Sequence, residues 1–393
     1  FHNTSVASDI EALFPDWAQV GENVGVSPSV PSVHAAFMQS PLHRANVLHP
    51  DWGWMGIGVV SGGNRLFFTE NFLKLQPGAR RPAPSPFRLS GADRIQTGRV
   101  IADFGFTPGS ARGAVVADAY SFHDALVGTS LAASLRGPTV LSSTEQLDSA
   151  AAMALDRALG DDRAGKTVYL VGGPFAAKVR DQVANLGVRV VVIGGADPLV
   201  TAAAVARTLP ERPDTAFITT ATAYPDALAV SAVSAVTGWP VLYSDPGDLS
   251  DSTAAVLREL GIRRTFVVGG PMAISERVVT QLTAAGARPA ARLAGPSRIE
   301  TSLAIANFAE ANGLMHFRAP QIATAYNYPD ALAGGALAAV LRSPVILTTG
   351  DRLHPATSEW LRARRDRIDS LYILGGSVAL STAVEADIRS AVA

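Results

Sequence analysis

Short, largely apolar runs alternate with amphipathic stretches of ten or more residues along most of the chain. The first complete block predicts four strands and three helices, with strands at 114–117, 139–141, 167–171 and 188–193 and helices at 124–135, 148–159 and 176–186. Short apolar strands separated by helices of this length are typical of a parallel sheet that helices cover on both faces. The pattern therefore predicts small three-layer α/β units.

This block is written three times, at intervals of about 100 residues. Three of its landmarks are a Gly-x-Asp-Arg type segment, an Asp-Ala-Leu segment and a Gly-Gly segment. They fall at 88–97, 122–126 and 171–174 in the first copy, at 193–201, 224–228 and 268–271 in the second, and at 292–301, 328–332 and 374–377 in the third. Repetition favours avidity for a repetitive polymer over catalysis, because an enzyme needs only one assembled site.

The landmarks also divide the chain. A proline-rich stretch, residues 76–87, predicts an extended spacer between an N-terminal region, 1–75, and the repeats. The copies are predicted to occupy 88–192, 193–291 and 292–393. The helices that follow the Asp-Ala-Leu segments are rich in Gly, Ala and Ser, so we expect close packing against a sheet or a neighbouring unit.

Composition narrows the function. The formal net charge is −1, which argues against binding of nucleic acid or another polyanion through bulk charge. The chain has no cysteine, which excludes disulfides and thiolate metal sites. No apolar run reaches the roughly 18 residues that a membrane span needs. We therefore expect an anionic partner to be met by local arginines.

Three aspartates recur in the Asp-Ala-Leu segments, at the predicted first turn of a helix: Asp124, Asp226 and Asp330. A carboxylate in this position can cap free N–H groups and complement the helix dipole. Alternatively, three equivalent carboxylates can line a groove and meet sugar hydroxyls or a cation. The Gly-Gly segments follow strands, where a tight turn or an anion site is expected. No dinucleotide, phosphate-loop or nucleophile-elbow motif accompanies them.

Arg94 and Arg298 occupy the same position in copies one and three, where a guanidinium suits recognition of a carboxylate or phosphate. The second copy has Pro198 there, so the three copies are predicted to be unequal.

As an ordered set, Gly-x-Asp-Arg, Pro-Asp-Ala-Leu, Pro-Val-Ile-Leu and Val-Gly-Gly resemble the cell wall binding repeat type 2 family, from Arg88 to the C-terminus. The resemblance implies three parallel-sheet α/β units in a pseudo-threefold ring that binds an anionic secondary wall polymer. Pro198 and Ser297 depart from its pattern. The ligand-binding residues it implies are Asp93, Arg94, Asp124, Asp226, Arg298 and Asp330.

The N-terminal region carries other chemistry. Two histidines and a carboxylate can ligate a divalent metal or supply a base, and they can equally be hydrogen-bonded structural residues. Four ordered segments, at 1–3, 21–24, 40–48 and 67–72, resemble the second half of a bacterial CAP domain, the superfamily of cysteine-rich secretory proteins. The resemblance implies a partial α+β domain with a metal cleft, such as a zinc site, formed by His2, Glu22 and His43. The fourth ligand of that family has no match in 31–34.

The sequence therefore predicts an extracellular, wall-associated protein, a monomer, in which a CAP-like module is anchored noncovalently and no catalysis is expected. The alternative is a wall-active hydrolase whose metal cleft lies in the N-terminal module, with Glu70 or His34 as the missing ligand. A third hypothesis is a small-molecule enzyme built on the α/β units.

Overall fold

A computed structural model of the chain describes residues 2, 4–62, 65–79, 83–195, 197–222, 224–326 and 329–393, without the side chains of Leu13 and Pro329. Tyr328 of the third landmark and residues 80–82 of the predicted spacer lie outside this range. The chain divides into two compact units, 1–82 and 83–393. No helix among the described residues is long and apolar enough to span a bilayer.

The first unit combines three helices with a three-stranded antiparallel sheet of order β1-β3-β2. Its elements are α1 (Val6–Leu13), β1 (Trp17–Ser27), α2 (Val30–Gln39), α3 (Pro41–Val47), β2 (Trp54–Gly62) and β3 (Arg65–Leu75). Val33 and Phe37 of α2 pack on Phe68 to form a small apolar core. Gly25 of β1 lies directly beneath Val33 and Phe37, where a Cβ atom would overlap both side chains. The face of β1 that carries Gly25 is therefore the face covered by α2.

The second unit contains three four-stranded parallel sheets with the same topology. Its first elements are β4 (Pro86–Leu89), α4 (Arg94–Gly105), β5 (Gly113–Asp118), α5 (Phe122–Ser134), β6 (Thr139–Ser142), α6 (Ser149–Leu159), β7 (Thr167–Val171), α7 (Ala177–Ala184) and β8 (Arg189–Ile193). The strands from β5 to β8 form the first sheet, in the order β6-β5-β7-β8. Every predicted strand and helix of the first block is present, with ends that agree within two residues.

The second sheet, β10-β9-β11-β12, repeats this arrangement. Its elements are α8 (Pro198–Thr208), β9 (Thr215–Thr220), α9 (Tyr224–Thr237), β10 (Val241–Ser244), α10 (Asp251–Glu259), β11 (Arg264–Val268), α11 (Glu276–Ala284) and β12 (Arg288–Leu293). The third block contributes α12 (Arg298–Ala311), β13 (Gln321–Thr324), a 3-10 turn (Pro329–Ala331), α13 (Gly334–Leu341), β14 (Val345–Thr348), α14 (Pro355–Arg362), a 3-10 turn (Arg365–Arg367), β15 (Leu371–Leu374) and α15 (Thr382–Val392). The predicted fold of three parallel-sheet α/β units is confirmed.

The third sheet takes its fourth strand from the start of the unit, because its order is β14-β13-β15-β4. β4 pairs in parallel with β15, with Leu371 opposite Pro86 and Leu374 opposite Leu89. Arg88 secures the pairing by donating to the carbonyl of Gly375 (2.8 Å) and to Oε2 of Glu385 (3.0 Å). Pro86 and Phe87, which were predicted to lie in the spacer, are thus the first residues of a strand that closes the unit.

The small-residue helices α5, α9 and α13 meet one another at the centre of the unit. Gly335 of α13 lies between Thr129 of α5 and Ser231 of α9, where a Cβ atom would come within 2.7 Å of Thr129 Cγ2 and 2.8 Å of Ser231 Oγ. The three residues are equivalent, since each follows its landmark aspartate by five positions. Equivalent residues that touch at one point are what a pseudo-threefold arrangement requires, and small side chains permit the close approach.

Candidate functional site

The landmarks of neighbouring blocks meet at the carboxyl ends of the strands. In each sheet the N–H that begins the Gly-Gly segment donates to the carbonyl that ends the fourth strand: Gly375 to Leu89 (2.9 Å), Gly269 to Leu293 (2.9 Å) and Gly172 to Ile193 (2.7 Å). The fourth strand then leads directly into the Gly-x-Asp-Arg segment. Each Gly-Gly turn therefore lies beside the Gly-x-Asp-Arg segment of the next block, and three equivalent clefts result.

We name the clefts by their aspartates. Cleft A contains Asp330, the Gly375 turn and the segment from Gly91 to Arg94. Cleft B contains Asp226, the Gly269 turn and the segment from Gly295 to Arg298. Cleft C contains Asp124, the Gly172 turn and the residues Gly195, Asp197 and Pro198.

The three aspartates lie directly on the glycine turns. A Cβ atom at Gly172, Gly269 or Gly375 would overlap the carboxylate of Asp124, Asp226 or Asp330 respectively. Asp124 and Asp226 lie in the first turns of α5 and α9, as the sequence predicts, and Asp330 lies in a 3-10 turn before α13. Ser121 is the N-cap of α5 and makes no side-chain cap hydrogen bond.

Burial dominates the electrostatics of these carboxylates. It raises the pKa of Asp124 to about 6, against a hydrogen bond from Ser121, and the charge of Asp118 adds to the rise. Burial also raises the pKa of Asp226 to about 6, although the charge of Arg298 opposes it. The pKa of Asp330 is raised by burial and lowered in part by a hydrogen bond from Thr97 and by the charge of Arg94.

The aspartate of the Gly-x-Asp-Arg segment is a helix cap. Asp93 accepts from the N–H of Gln96 (2.8 Å) at the start of α4, and Asp197 accepts from Val200 (2.9 Å) at the start of α8. Ser297 takes the same position before α12 and accepts from the N–H of Ile299 (3.1 Å). Because serine and aspartate are both strong N-caps, the replacement preserves the local structure. Asp93 also lines cleft A, so its predicted ligand role is compatible with capping.

Cleft A is a cavity of about 430 Å³. Landmark residues of the first and third blocks line it: Gly91, Ala92, Asp93, Arg94, Asp330, Gly376, Ser377, Val378 and Ala379. The structure thus brings together three of the predicted ligand-binding residues, Asp93, Arg94 and Asp330. Cleft B brings Arg298 into electrostatic range of Asp226.

Arg94 and Arg298 are held in the same way. Arg94 donates to the carbonyl of Ala119, which follows β5, at 3.2 Å. Arg298 donates to the carbonyl of Ala325, which follows β13, at 3.1 Å. Each also lies over a tyrosine ring, Tyr120 at 5.0 Å or Tyr326 at 5.2 Å from the centroid. Neither guanidinium forms an ion pair with a carboxylate of the described residues, so its remaining donors suit an incoming anion.

A second pair of recurring arginines has a structural role. Arg88 bridges Gly375 and Glu385, and Arg292 donates to the carbonyl of Gly269 (2.9 Å) and to Oε1 of Glu276 (2.7 Å). These bonds lock the glycine turns of clefts A and B. Neither this pair nor the two tyrosines is among the predicted site residues, although each arginine precedes its landmark glycine by three positions and each tyrosine precedes its landmark aspartate by four.

In the first unit, the predicted metal ligands are only partly brought together. Nδ1 of His2 lies 2.8 Å from Oε2 of Glu22. Nδ1 of His43 lies 2.8 Å from Oγ of Ser40 instead, and its ring stacks on Phe37 at 5.0 Å. The described residues include no group of three or more His, Asp and Glu placed to hold a metal ion.

Strand alternation explains this separation. Asn23 faces α3, because its side chain donates to the carbonyl of His43 (3.1 Å) and accepts from Asn46 (2.9 Å). Successive side chains of a strand point to opposite faces, so Glu22 points away from the helix that carries His43. Glu70, the suggested replacement ligand, accepts from Asn23 (3.0 Å) on the α3 face. The structure thus places His2 beside Glu22 and His43 beside Ser40, and metal binding by the three residues stays a prediction.

Comparison with known proteins agrees with the repeat structure. The family described as Cell wall binding domain 2 (CWB2) matches residues 88–180, 192–279 and 292–385. N-acetylmuramoyl-L-alanine amidase LytC of Bacillus subtilis is 27% identical over 307 residues, which are 78% of this chain and 58% of LytC.

Two solved structures share the fold. Cwp8 from Clostridium difficile superposes with a TM-score of 0.72 at 21% identity, over 95% of this chain and 63% of Cwp8. Cwp6 from Clostridium difficile gives a TM-score of 0.68 at 18% identity, over 86% of this chain and 51% of Cwp6. The chain thus spans between about half and two thirds of the length of each of these relatives.

Proposed function

Because the chain belongs to the Cell wall binding domain 2 family, which binds cell wall polymers, we propose that residues 83–393 hold it noncovalently on an anionic wall polymer. The proposal includes an extracellular location on a Gram-positive wall and a monomeric chain, since the three blocks complete one another within it. We choose an anionic ligand because the cleft arginines, Arg94 and Arg298, contact tyrosine rings and backbone carbonyls but form no ion pair with a described carboxylate.

The chemistry of the clefts supports a saccharide ligand. A guanidinium fork binds phosphate or carboxylate through two parallel hydrogen bonds, and a neighbouring carboxylate accepts from sugar hydroxyls. A near-neutral chain has no broad basic field, so the local donors must select the anion. Several weak sites on one rigid unit reinforce each other through effective concentration.

We propose that the first unit is the CAP-like module that this anchor carries. The ordered motifs support the proposal, and the unit has the α+β composition of helices on an antiparallel sheet. The match to Cwp8 leaves only about 20 residues of the chain unmatched, so it extends into residues 1–82.

Metal-dependent hydrolysis has less support than anchoring. Only His2 and Glu22 are adjacent, and the 307 residues aligned with LytC are about as many as the three repeats contain. Zinc binding therefore stays a prediction, which titration of the full chain with zinc would test. If the chain binds zinc and His43→Ala abolishes that binding, the result would support the hypothesis that His2, Glu22 and His43 ligate the metal together.

Binding to purified walls tests the anchor. The full chain and residues 83–393 are expected to bind walls with equal affinity, and both are expected to lose binding when the anionic secondary polymer is removed chemically. Residues 1–82 alone serve as the control and should not bind. Full capture by stripped walls, or equal capture of residues 1–82, would contradict the proposal.

A further inference from the structure

The three clefts share one backbone, but cleft C lacks the side chains that clefts A and B hold in common. Where those clefts have Arg94 and Arg298, cleft C has Pro198. Where their blocks have Tyr120 and Tyr326, the second block has Thr222. The arginine and the tyrosine that contacts it are thus replaced together, as expected if they act as one recognition element.

The glycine turn of cleft C also differs from the turns of clefts A and B. In clefts A and B, two N–H groups close the turn by donating to the carbonyl of the second glycine. In cleft A the donors are Ala379 and Leu380 and the acceptor is Gly376. In cleft B the donors are Ala273 and Ile274 and the acceptor is Gly270. The third residue after the first glycine is then almost fully exposed, with Val378 at 98% and Met272 at 93%. In cleft C the turn is two residues shorter, because the N-cap Ala176 follows Gly172 by four residues whereas Ser275 and Ser381 follow their first glycines by six. Cleft C therefore has no residue that matches Val378 or Met272, and its Gly173 has a φ of +127°.

These differences define a binding surface. Tyr120 and Tyr326 are 63% and 64% exposed although each contacts a guanidinium, and Val378 lines cleft A. An aromatic ring and an apolar side chain beside a guanidinium that forms no ion pair with a described carboxylate suit a ligand with one apolar face and one anionic group. A pyranose ring bearing a phosphate or carboxylate has that character, whereas a bare anion would gain nothing from the ring or the apolar rim.

We propose that the wall polymer is bound at clefts A and B only, and that each takes one anionic sugar, with the anion on the arginine and the sugar ring against the tyrosine. This inference rests on the proposed function. Cleft C keeps the aspartate and the backbone of the other two, and completes the fold without binding polymer.

The first test removes the tyrosines from the full chain. Tyr120→Ala with Tyr326→Ala is expected to lower wall affinity by about tenfold, because two aromatic contacts are lost. Thr222→Ala is the matched control at the equivalent position and should bind as the parent does. Unfolding in urea checks that both variants fold. Unchanged wall binding by a folded double-tyrosine variant would overturn the inference while the anchor proposal still stood.

The second test rebuilds the missing site. Pro198→Arg with Thr222→Tyr should be tolerated, because the first residue of a helix needs no intrahelical N–H partner and Thr222 is exposed. Three monosaccharide probes, each able to fill one site, distinguish the ligand chemistry: N-acetylglucosamine 6-phosphate, glucuronate and neutral N-acetylglucosamine. The parent is expected to bind two molecules of one anionic probe, and the rebuilt chain three, as followed by NMR of labelled tyrosines.

The preferred anionic probe identifies the group as phosphate or carboxylate. Equal binding of the neutral sugar, or of inorganic phosphate alone, would overturn recognition of an anionic sugar. Three bound probes in the parent chain would overturn the restriction to two clefts. Failure of the parent to bind walls that carry anionic polymer would instead remove the proposed function itself.

Discussion

Clefts A and C each place an equivalent aspartate on a glycine turn, Asp330 on Gly375 and Asp124 on Gly172, yet they differ in the arginine and the tyrosine. Both keep the N–H of the first glycine on the fourth strand and the carboxylate above it. Only cleft A adds an unpaired arginine, an exposed tyrosine nearby and an exposed apolar rim. The features that all three clefts share therefore maintain the fold. The features that only clefts A and B share are the ones we assign to ligand recognition.

Removal of both cleft arginines should have the largest effect. Arg94→Gln with Arg298→Gln is expected to lower wall affinity about 100-fold, since each charge-assisted contact is worth about 1.5–3 kcal/mol and part of that is regained from water. A binding isotherm on purified walls measures the change.

Pro198→Ala in cleft C is the control for that pair of substitutions and should stay within about twofold of the parent. An equal loss in the control would end the distinction between the clefts.

The pH dependence of stability should be similar for Asp124 and Asp226, because the pKa of each is raised to about 6. Burial favours the protonated form of each in the folded state, so each carboxyl costs stability as the pH rises from about 4 to about 6. Asp124→Asn should therefore stabilise the chain at pH 7, by up to about 2 kcal/mol, and have little effect at pH 4. Urea unfolding at the two pH values measures this.

Asp226→Asn should stabilise by about as much as Asp124→Asn, because the pKa of about 6 at Asp226 already includes the charge of Arg298. A much smaller gain from Asp226→Asn would mean that Arg298 stabilises the Asp226 carboxylate more than that pKa implies.

The turns allow a comparison of equivalent glycines. Gly173→Ala should destabilise by about 1–2 kcal/mol, because its φ of +127° is strained for any other residue. Gly376→Ala should be nearly neutral, since no described atom lies within 4 Å of the added Cβ and its φ is not positive. Equal unfolding midpoints in urea would show that the two turns have the same conformation.

Salt should have the smallest effect. Two arginines release few counterions, so affinity should fall less than tenfold between 50 and 200 mM salt, whereas a polycation on DNA loses about 10³–10⁵. Arg94→Gln should flatten the dependence further. A steep salt dependence of the parent would point to a distributed charge surface rather than two clefts.

The sequence predicts the repeat fold well because the information is local. Apolar runs and helix lengths give the elements of the first block within two residues, and the landmarks locate the aspartates and glycine turns. The presence of Arg94 and Asp330 in one cleft could not be predicted, because it depends on β4 joining a sheet whose other strands lie more than 200 residues away. Recurrence of Tyr120 as Tyr326, each four residues before its landmark aspartate, was an available signal.

The predicted metal site depends on information that is not local. The order of His2, Glu22 and His43 along a motif carries no information on the faces of a strand. The structure places Glu22 and the α3 helix on opposite sides of β1, and that separation follows from a period of two. Had 17–27 been predicted as a strand, side-chain alternation would have placed Glu22 and Asn23 on opposite faces from the sequence alone.

The position of β4 also orders events during biosynthesis. Arg88 leaves the ribosome well before its partner Glu385, which is 297 residues further along. β4 therefore waits for its partner strand β15 while the intervening blocks are made, and its contacts have the high sequence separation that slows folding. Nascent chains should remain open at this sheet until β15 and α15 have been synthesised.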